Sequence, residues 1–293
     1  MAAITASMVK ELRDKTNAGM MDCKSALAEA DGDLEAAETI LRKKGIADAD
    51  KKAGRDAKEG VIASRILDDG TGILVEVNCE TDFVAKNENF QEFVGQILDH
   101  IAQSDDAKDL ETLLAQDYAA DTSQKFEEFI KAKVGQLGEN MGVSRFSKIK
   151  PDSSVVGTYI HMAGRVGVLS EVAVGDEKTK DNETFQQFVK DLNMQIAASS
   201  PLCVDRDGVP ADKVEAEKDI FRDQMKDKPA DIIERIIEGK IGKFYSQQCL
   251  LEQAFIKDGD KTINDLVAEV AKATGDDKIK VVQFDRYAVG EES

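Results

Sequence analysis

The sequence predicts an α+β protein: a small N-terminal bundle of three helices, then two duplicated α+β subdomains with antiparallel sheets and an inserted helical hairpin. Two observations carry this prediction. First, the apolar pattern changes period, from helical spacing to strict alternation near residue 61 and back again near residue 87. Second, the plan repeats. Gly72-Ile73-Leu74-Val75-Glu76-Val77 is echoed by Gly167-Val168-Leu169-Ser170-Glu171-Val172, an offset of 167 − 72 = 95. Asn87-Glu88-Asn89-Phe90-Gln91-Glu92-Phe93-Val94 is echoed by Asn182-Glu183-Thr184-Phe185-Gln186-Gln187-Phe188-Val189, and 182 − 87 is again 95. Two separated blocks in one register mark an internal duplication.

The first unit covers residues 1–45. Val9, Leu12 and Arg13 fall on a short amphipathic helix that Thr5 or Ser7 can cap. Thr16-Asn17-Ala18-Gly19-Met20-Met21 reads as a turn. A second helix is expected from Asp22 to Ala30. A third carries Leu34, Ala37, Ile40 and Leu41 and is expected to close at Gly45. Such a bundle is too small to be robust alone and suits a recognition module. Met20-Met21 reads as an exposed apolar pair on the first turn, with two readings: at least one of the two is core, or the pair forms a protein-contact loop, because methionine adapts to partner surfaces. The loop resembles that of ubiquitin-associated (UBA-like) bundles.

Residues 46–60 are charged, contain two glycines and almost no large apolar side chains, the composition of a linker that is helical in part. The first subdomain, residues 61–150, opens with a hairpin, Val61 to Leu67 and Ile73 to Val77 around Asp68-Asp69-Gly70-Thr71-Gly72. A helix from Asn87 follows, then helices around 108–118 and 122–137, and a strand near Val143 to Phe146. The second subdomain, residues 151–293, repeats the hairpin at Val155 to His161 and Gly167 to Val172 around Met162-Ala163-Gly164-Arg165. Residues 211–246 are the inserted hairpin: helices 211–227 and 230–246 are split at Lys228-Pro229 and striped by Val214, Phe221 and Met225 and by Ile232, Ile233, Ile236, Ile237 and Ile241. It is either a prop or a protruding coiled coil that dimerises or meets a partner. A helix at 262–273 and a strand at 279–284 complete the plan.

A net charge of −18 argues against broad nucleic-acid binding, since phosphate contacts need clustered Lys and Arg. Cys23, Cys79, Cys203 and Cys249 are scattered with no C-x-x-C pair, which suits a reducing compartment. The first residues lack the basic and long apolar stretches of a signal peptide, and no apolar run approaches the roughly 18 residues of a membrane span, so a cytoplasmic location is expected. Enzyme chemistry finds little support. His100 and His161 lie in different subdomains, His100 reading as a helix-face residue and His161 as an exposed strand end. There is no P-loop and no H-E-x-x-H or G-x-S-x-G motif.

The duplication singles out one stretch. Between the matched blocks the first half reads Asn78-Cys79-Glu80-Thr81-Asp82-Phe83-Val84-Ala85-Lys86, and the second replaces it with a charged sequence, Ala173 to Asp181. A scaffold that functions without the aromatic in one copy does not need Phe83 as core, so Phe83 is expected to be exposed and specialised. An exposed Phe filling a pocket on another protein contributes about 1.5–3 kcal/mol. Asp82 beside it, buried on binding, demands a donor or a cation.

Thr81-Asp82-Phe83-Val84-Ala85-Lys86-Asn87 resembles the signature of the elongation factor Ts family. So do Thr16-Asn17-Ala18-Gly19-Met20-Met21-Asp22-Cys23-Lys24-Ser25-Ala26-Leu27, and Tyr159-Ile160-His161 with Gly164-Arg165-Val166-Gly167-Val168-Leu169. The resemblance covers nearly the whole chain, in order. It implies a guanine-nucleotide exchange factor, not an enzyme, for the GTPase elongation factor Tu. It assigns Asp82 and Phe83 the disturbance of the partner's magnesium site, with Thr81 and Val84 shaping the loop. Lys10, Arg13, Met20 and Met21 would dock the N-terminal module, and His161, Gly164 and Arg165 would touch another domain of the partner. It implies no cofactor of its own, and a homodimer through the helical hairpin in some members. Asn17 and Ser25 stand where the family often has Gly and Lys, and the further C-terminal helix of many members has no counterpart within these residues. The competing expectation is a non-catalytic scaffold that assembles complexes through a UBA-like module and a coiled coil.

Overall fold

The computed structural model describes residues 4–16, 18–223 and 230–291. Asn17, Met225 and Lys228-Pro229 lie outside the described residues, as do the side chains of Ile232 and Ile233.

The N-terminal bundle is α1 (Ala6–Thr16), α2 (Met20–Glu29) and α3 (Leu34–Lys52) around Leu12, Cys23, Ala26, Leu27 and Ala37. Thr5 supplies a hydroxyl acceptor to the Met8 N–H, and Asp33 caps α3 by accepting from Glu35 and Ala36. Two expectations are corrected here. α2 begins at Met20, so both methionines sit on its exposed first turn and neither is core. α3 does not close at Gly45 but runs to Lys52, so the helical part of the linker is a continuation of this helix. Gly45 is in the helix because of a neighbour. α3 packs across α7 (Phe126–Leu137), and a Cβ on Gly135 would sit 2.4 Å from the Gly45 Cα. Two glycines let the backbones touch. Lys131 pairs with Asp50 at 3.1 Å along the same contact.

The first subdomain contains β1 (Glu59–Ile66), β2 (Gly72–Cys79), α4 (Asp82–Ala85), α5 (Glu88–Gln103), α6 (Leu110–Ala115), β3 (Asp117–Tyr118), β4 (Asp121–Lys125), α7 and β5 (Met141–Ile149). The expected helix over 108–118 is only α6, because a tight β3–β4 hairpin intervenes. Its Tyr118 turns inward and stacks on Phe129 at 4.1 Å, in an aromatic cluster that includes Phe126 and His100. His100 is therefore core and not merely a helix-face residue: it is buried and stacked on Phe126 at 3.9 Å.

The second subdomain contains β6 (Ser154–His161), β7 (Val166–Ala173), α8 (Glu177–Lys180), α9 (Glu183–Ser199), α10 (Ala211–Asp223), α11 (Ala230–Gln248), β8 (Ala254–Phe255), β9 (Asp258–Thr262), α12 (Ile263–Thr274) and β10 (Lys280–Ala288). The sheets have orders β1-β2-β5 and β10-β7-β6, all antiparallel, each with its equivalent strand in the middle. α10 and α11 form a hairpin closed on Ile237 and Ile241, with Val214, Phe221 and Tyr245 packed against them.

Strand alternation explains the repeated Gly-x-Leu-x-Glu. In β2, Ile73, Val75 and Val77 point at α5 and α7, while Gly72, Leu74 and Glu76 point at the other sheet. In β7, Val168 and Val172 face α9 and α12, while Leu169 meets Leu74, Ile62 and Val156 between the sheets. The layers are thus helix, sheet, sheet, helix. A Cβ on Gly72 would lie 2.4 Å from Val156 and one on Gly167 2.4 Å from Ile62, so the two glycines set the sheet spacing. Between the sheets, buried Glu76 accepts from Arg145 Nε at 2.8 Å, Asn78 at 3.0 Å and the Gly290 N–H at 3.0 Å. Arg145 lies over the Tyr287 ring at 4.3 Å. A buried carboxylate with a cation and two further donors is fully partnered, and here it ties the end of the chain to the first subdomain.

Candidate functional site

β2 ends at Cys79, and the chain turns into α4 through Thr81. The Thr81 hydroxyl accepts from the Val84 N–H at 3.3 Å, capping the single helical turn. Thr81 also donates twice to Glu139, from its backbone N–H at 3.0 Å and from its hydroxyl at 2.6 Å. Glu80 accepts from the Asn140 N–H at 2.6 Å, and Arg55 joins it at 3.3 Å. Behind the turn, Ala85 is buried, Val84 packs on the first core, and Gln91 donates to the Ala85 carbonyl at 2.6 Å.

On this clamped turn Phe83 is 82% exposed, the most exposed of the large apolar side chains among the described residues. The ring projects because the turn is anchored by Thr81, Val84 and Ala85 and none of these contacts uses the Phe83 side chain. Asp82, also exposed, pairs with Lys86 at 2.7 Å, and this hydrogen bond holds its carboxyl below the usual carboxylate range. Cys79 beneath donates to the Thr81 carbonyl at 3.1 Å. Burial, with Glu139 nearby, pushes its thiol up to about 11, so it stays protonated at neutral pH.

The second half builds the same turn without the ring. With the offset of 95, α8 matches α4, and Asp176 caps it where Thr81 caps α4. Phe83 corresponds to Lys178 and Val84 to buried Thr179. Asp276 takes the place of Glu139: it accepts from Gly175, Asp176 and Thr179 at 2.8, 3.0 and 2.8 Å. Burial raises its carboxyl, but the donors from Thr179, Asp176, Gly175 and Lys278 outweigh that and leave it below the usual range. Glu139 was missed in the sequence. Its signal was present: Gly138-Glu139 and Gly275-Asp276 recur at 275 − 138 = 137, both glycines ending a helix in the left-handed conformation. The larger offset is the original 95 plus 137 − 95 = 42 residues, and the α10–α11 hairpin lies in the lengthened stretch.

The other predicted residues form two groups. Lys10, Arg13, Met20 and Met21 are all exposed on α1 and α2. His161 is exposed at the end of β6 and hydrogen-bonded to the Tyr159 hydroxyl at 3.0 Å. Gly164 packs on Val61, its φ of +94° favouring glycine, and Arg165 forms an ion pair with Glu59. Met162, between them, is 66% exposed. Since α4 and the 162–165 turn both pack on β1, the structure brings Thr81–Val84 and His161–Arg165 to one strand. Among the described residues, no group of three or more His, Cys, Asp and Glu side chains is placed to hold a metal ion. No helix among them is long and apolar enough to cross a membrane.

Fold and site together define a duplicated α+β protein with a helical N-terminal module, one of whose halves presents an aromatic on a braced turn. The family model described as Elongation factor TS matches residues 80–291. The chain is 45% identical over 292 residues to Elongation factor Ts of Trichlorobacter lovleyi, covering 99% of this chain and 93% of the relative. It is 43% identical over 291 residues to Elongation factor Ts of Clostridium novyi and 45% identical over 291 residues to that of Clostridium botulinum type A, each covering 98% of this chain and 93% of the relative. The chain belongs to the elongation factor Ts family, the translation elongation factors of protein biosynthesis.

Proposed function

We propose that this protein is a guanine-nucleotide exchange factor for elongation factor Tu, acting in the cytoplasm and making or breaking no covalent bond. The observation that carries this reading is the exposure of Phe83 on a turn fixed by Glu139. A rigid apolar projection with a carboxylate beside it is suited to act as a wedge. The Phe83 ring enters the GTPase between helices. Asp82 exchanges Lys86 for polar groups near the bound magnesium, and GDP loses affinity. Thr81 and Val84 hold the turn. Lys10, Arg13, Met20 and Met21 dock the N-terminal bundle, and His161, Gly164 and Arg165 meet a second domain of the partner.

The physical basis is linkage. Exchange factor and GDP act on one shared element of the GTPase, so each weakens the other's binding by the same factor. The test is release of a fluorescent GDP analogue from elongation factor Tu. Substoichiometric amounts of this protein are expected to accelerate release over many rounds. Binding that leaves the GDP off-rate unchanged refutes exchange and leaves a scaffold.

A further inference from the structure

Two of the four cysteines meet where the inserted hairpin joins the second subdomain. Cys203 precedes α10 and Cys249 follows α11, and the two are partners in a parallel β-bridge. Bridged residues lie about 4.8 Å apart across strands, inside the roughly 4.4–6.8 Å range that a disulfide spans between Cα atoms. Their Sγ atoms are 3.9 Å apart, both free thiols, with Cys249 buried and Cys203 half-buried. The backbone around them is held from both sides. Leu202 donates to the Gln248 carbonyl at 2.8 Å, Leu250 to that of Cys203 at 2.9 Å and Leu251 to that of Val204 at 3.0 Å. Arg206 Nη2 reaches Glu252 at 2.8 Å across the same neck. A Cβ on Gly208 would lie 2.8 Å from the Cys203 Cβ, so this glycine lets the loop close against the cysteine. The contrast is with Cys23 and Cys79, each buried in a different core without a second cysteine beside it.

We propose that Cys203 and Cys249 are an oxidisable pair that closes to a disulfide across the neck of the hairpin by exchange with a small cationic disulfide. The half-buried Cys203 is the entry point. Next to Asp205, whose carbonyl accepts from the Cys203 thiol at 3.0 Å, lies an open depression of about 490 Å³ whose charged lining is Asp205, Arg206, Asp207 and Glu252; Arg206 is paired with Glu252, so the two aspartates leave it negative, which favours a cationic reagent over an anionic one. Cys203 loses its proton to solvent and its thiolate attacks one sulfur of the reagent, whose other half leaves and is protonated to a thiol. Cys249 then loses its proton, attacks the Cys203 Sγ and expels the second half as a thiol. The protein gives up two electrons and two protons, and the reagent disulfide is reduced to two thiols. Burial pushes both protein thiols up, Cys249 to about 12, so they rest protonated at neutral pH and the exchange is slow.

The test incubates the native full chain with cystamine, then quenches by alkylation and maps peptides. The expected result is a Cys203–Cys249 linked peptide pair with an intact mass two hydrogens lower. Cys23 and Cys79 should remain thiols. Oxidised glutathione, which is anionic, should give the same link more slowly; equal rates overturn the charge preference. The linked form should melt at a higher temperature than the reduced form, and dithiothreitol should restore the reduced value. An unchanged or lower melting temperature overturns closure from the native geometry. Cys203→Ser, a change at the half-buried position, should abolish the link. Mixed disulfides on single cysteines, or a link that forms only after denaturation, overturn the proposal without needing any variant.

Discussion

The sharpest consequence of the proposed function concerns Phe83→Ala. The ring is 82% exposed in the free protein and rests on none of the cores, so folding loses almost nothing with it, within about 0.5 kcal/mol for a surface change. On the proposed function the same ring is buried in the complex. Fully burying a Phe is worth about 1.5–3 kcal/mol, and the fraction still exposed here leaves about 1.2–2.5 kcal/mol to be gained on binding. If that energy is used where GDP is displaced, its loss lowers the stimulated exchange rate by about 8- to 70-fold, at about 1.36 kcal/mol per decade. The assay is stopped-flow release of a fluorescent GDP analogue from elongation factor Tu over a range of exchange-factor concentrations, alongside a thermal melt. The anchors of the turn, Thr81 to Glu139 and Gln91 to Ala85, do not involve the ring, so circular dichroism and melting temperature should match the unaltered protein. Exchange within twofold of the unaltered rate would falsify the wedge. A matching fall in melting temperature would instead make Phe83 structural.

Other outcomes follow from the same geometry. Glu139→Ala strips two donors of Thr81 of their acceptor, costing about 1.5–3 kcal/mol of local stability by the usual value for charged hydrogen bonds; hydrogen exchange should quicken at Val84 and Ala85, and nucleotide release should slow. Gly135→Ala drives a Cβ to 2.4 Å from the Gly45 backbone, an overpacking worth about 1–3 kcal/mol; limited proteolysis near residues 53–58 should accelerate, and an unaltered cleavage rate contradicts the α3–α7 contact. His100 carries a pH dependence. Burial holds its imidazole below the ordinary value, and its Nδ1 accepts from the Ala119 N–H at 3.2 Å, a bond that protonation there breaks. Above about pH 6.5 both folded and unfolded chains are neutral at this site and it contributes no slope; below that, the unfolded chain takes up the proton first, and stability falls by up to about 1.4 kcal/mol per pH unit until the folded imidazole titrates. His100→Phe should flatten the melting-temperature decline as the pH falls from about 6.5 to about 5.5, and an unchanged decline there removes His100 as its source.

The strands and their faces were legible in the sequence because alternation is a local signal. Gly72-Ile73-Leu74-Val75-Glu76-Val77 states its own two faces, and its recurrence states the second sheet. The exposure of Phe83 was legible for a different reason: its counterpart, Lys178, shows that the scaffold does not require a ring there. What could not be read depended on distant partners. Gly45 has the composition of a helix end, yet the helix continues because Gly135 lies against it. The β3–β4 hairpin reads as helix until Tyr118 is seen stacking on Phe129. Glu139 looks like any surface acid until Thr81 is placed opposite it.

The duplication also accounts for how an exposed aromatic is held firmly. A ring with no core to rest on has nothing of its own to fix its direction, so the turn beneath must do so. Both halves have that turn: a capped helical turn after the central strand, an acid from the end of the last helix bound to the cap region, and a glutamine, Gln91 or Gln186, donating back to its last carbonyl. In the second half the turn carries charge, with Lys178 at the position of the ring. In the first it carries Phe83, and its polar anchors leave the ring free of any structural duty. The position is therefore free to serve binding alone, because a change of side chain at residue 83 leaves the cap, the acid and the glutamine in place.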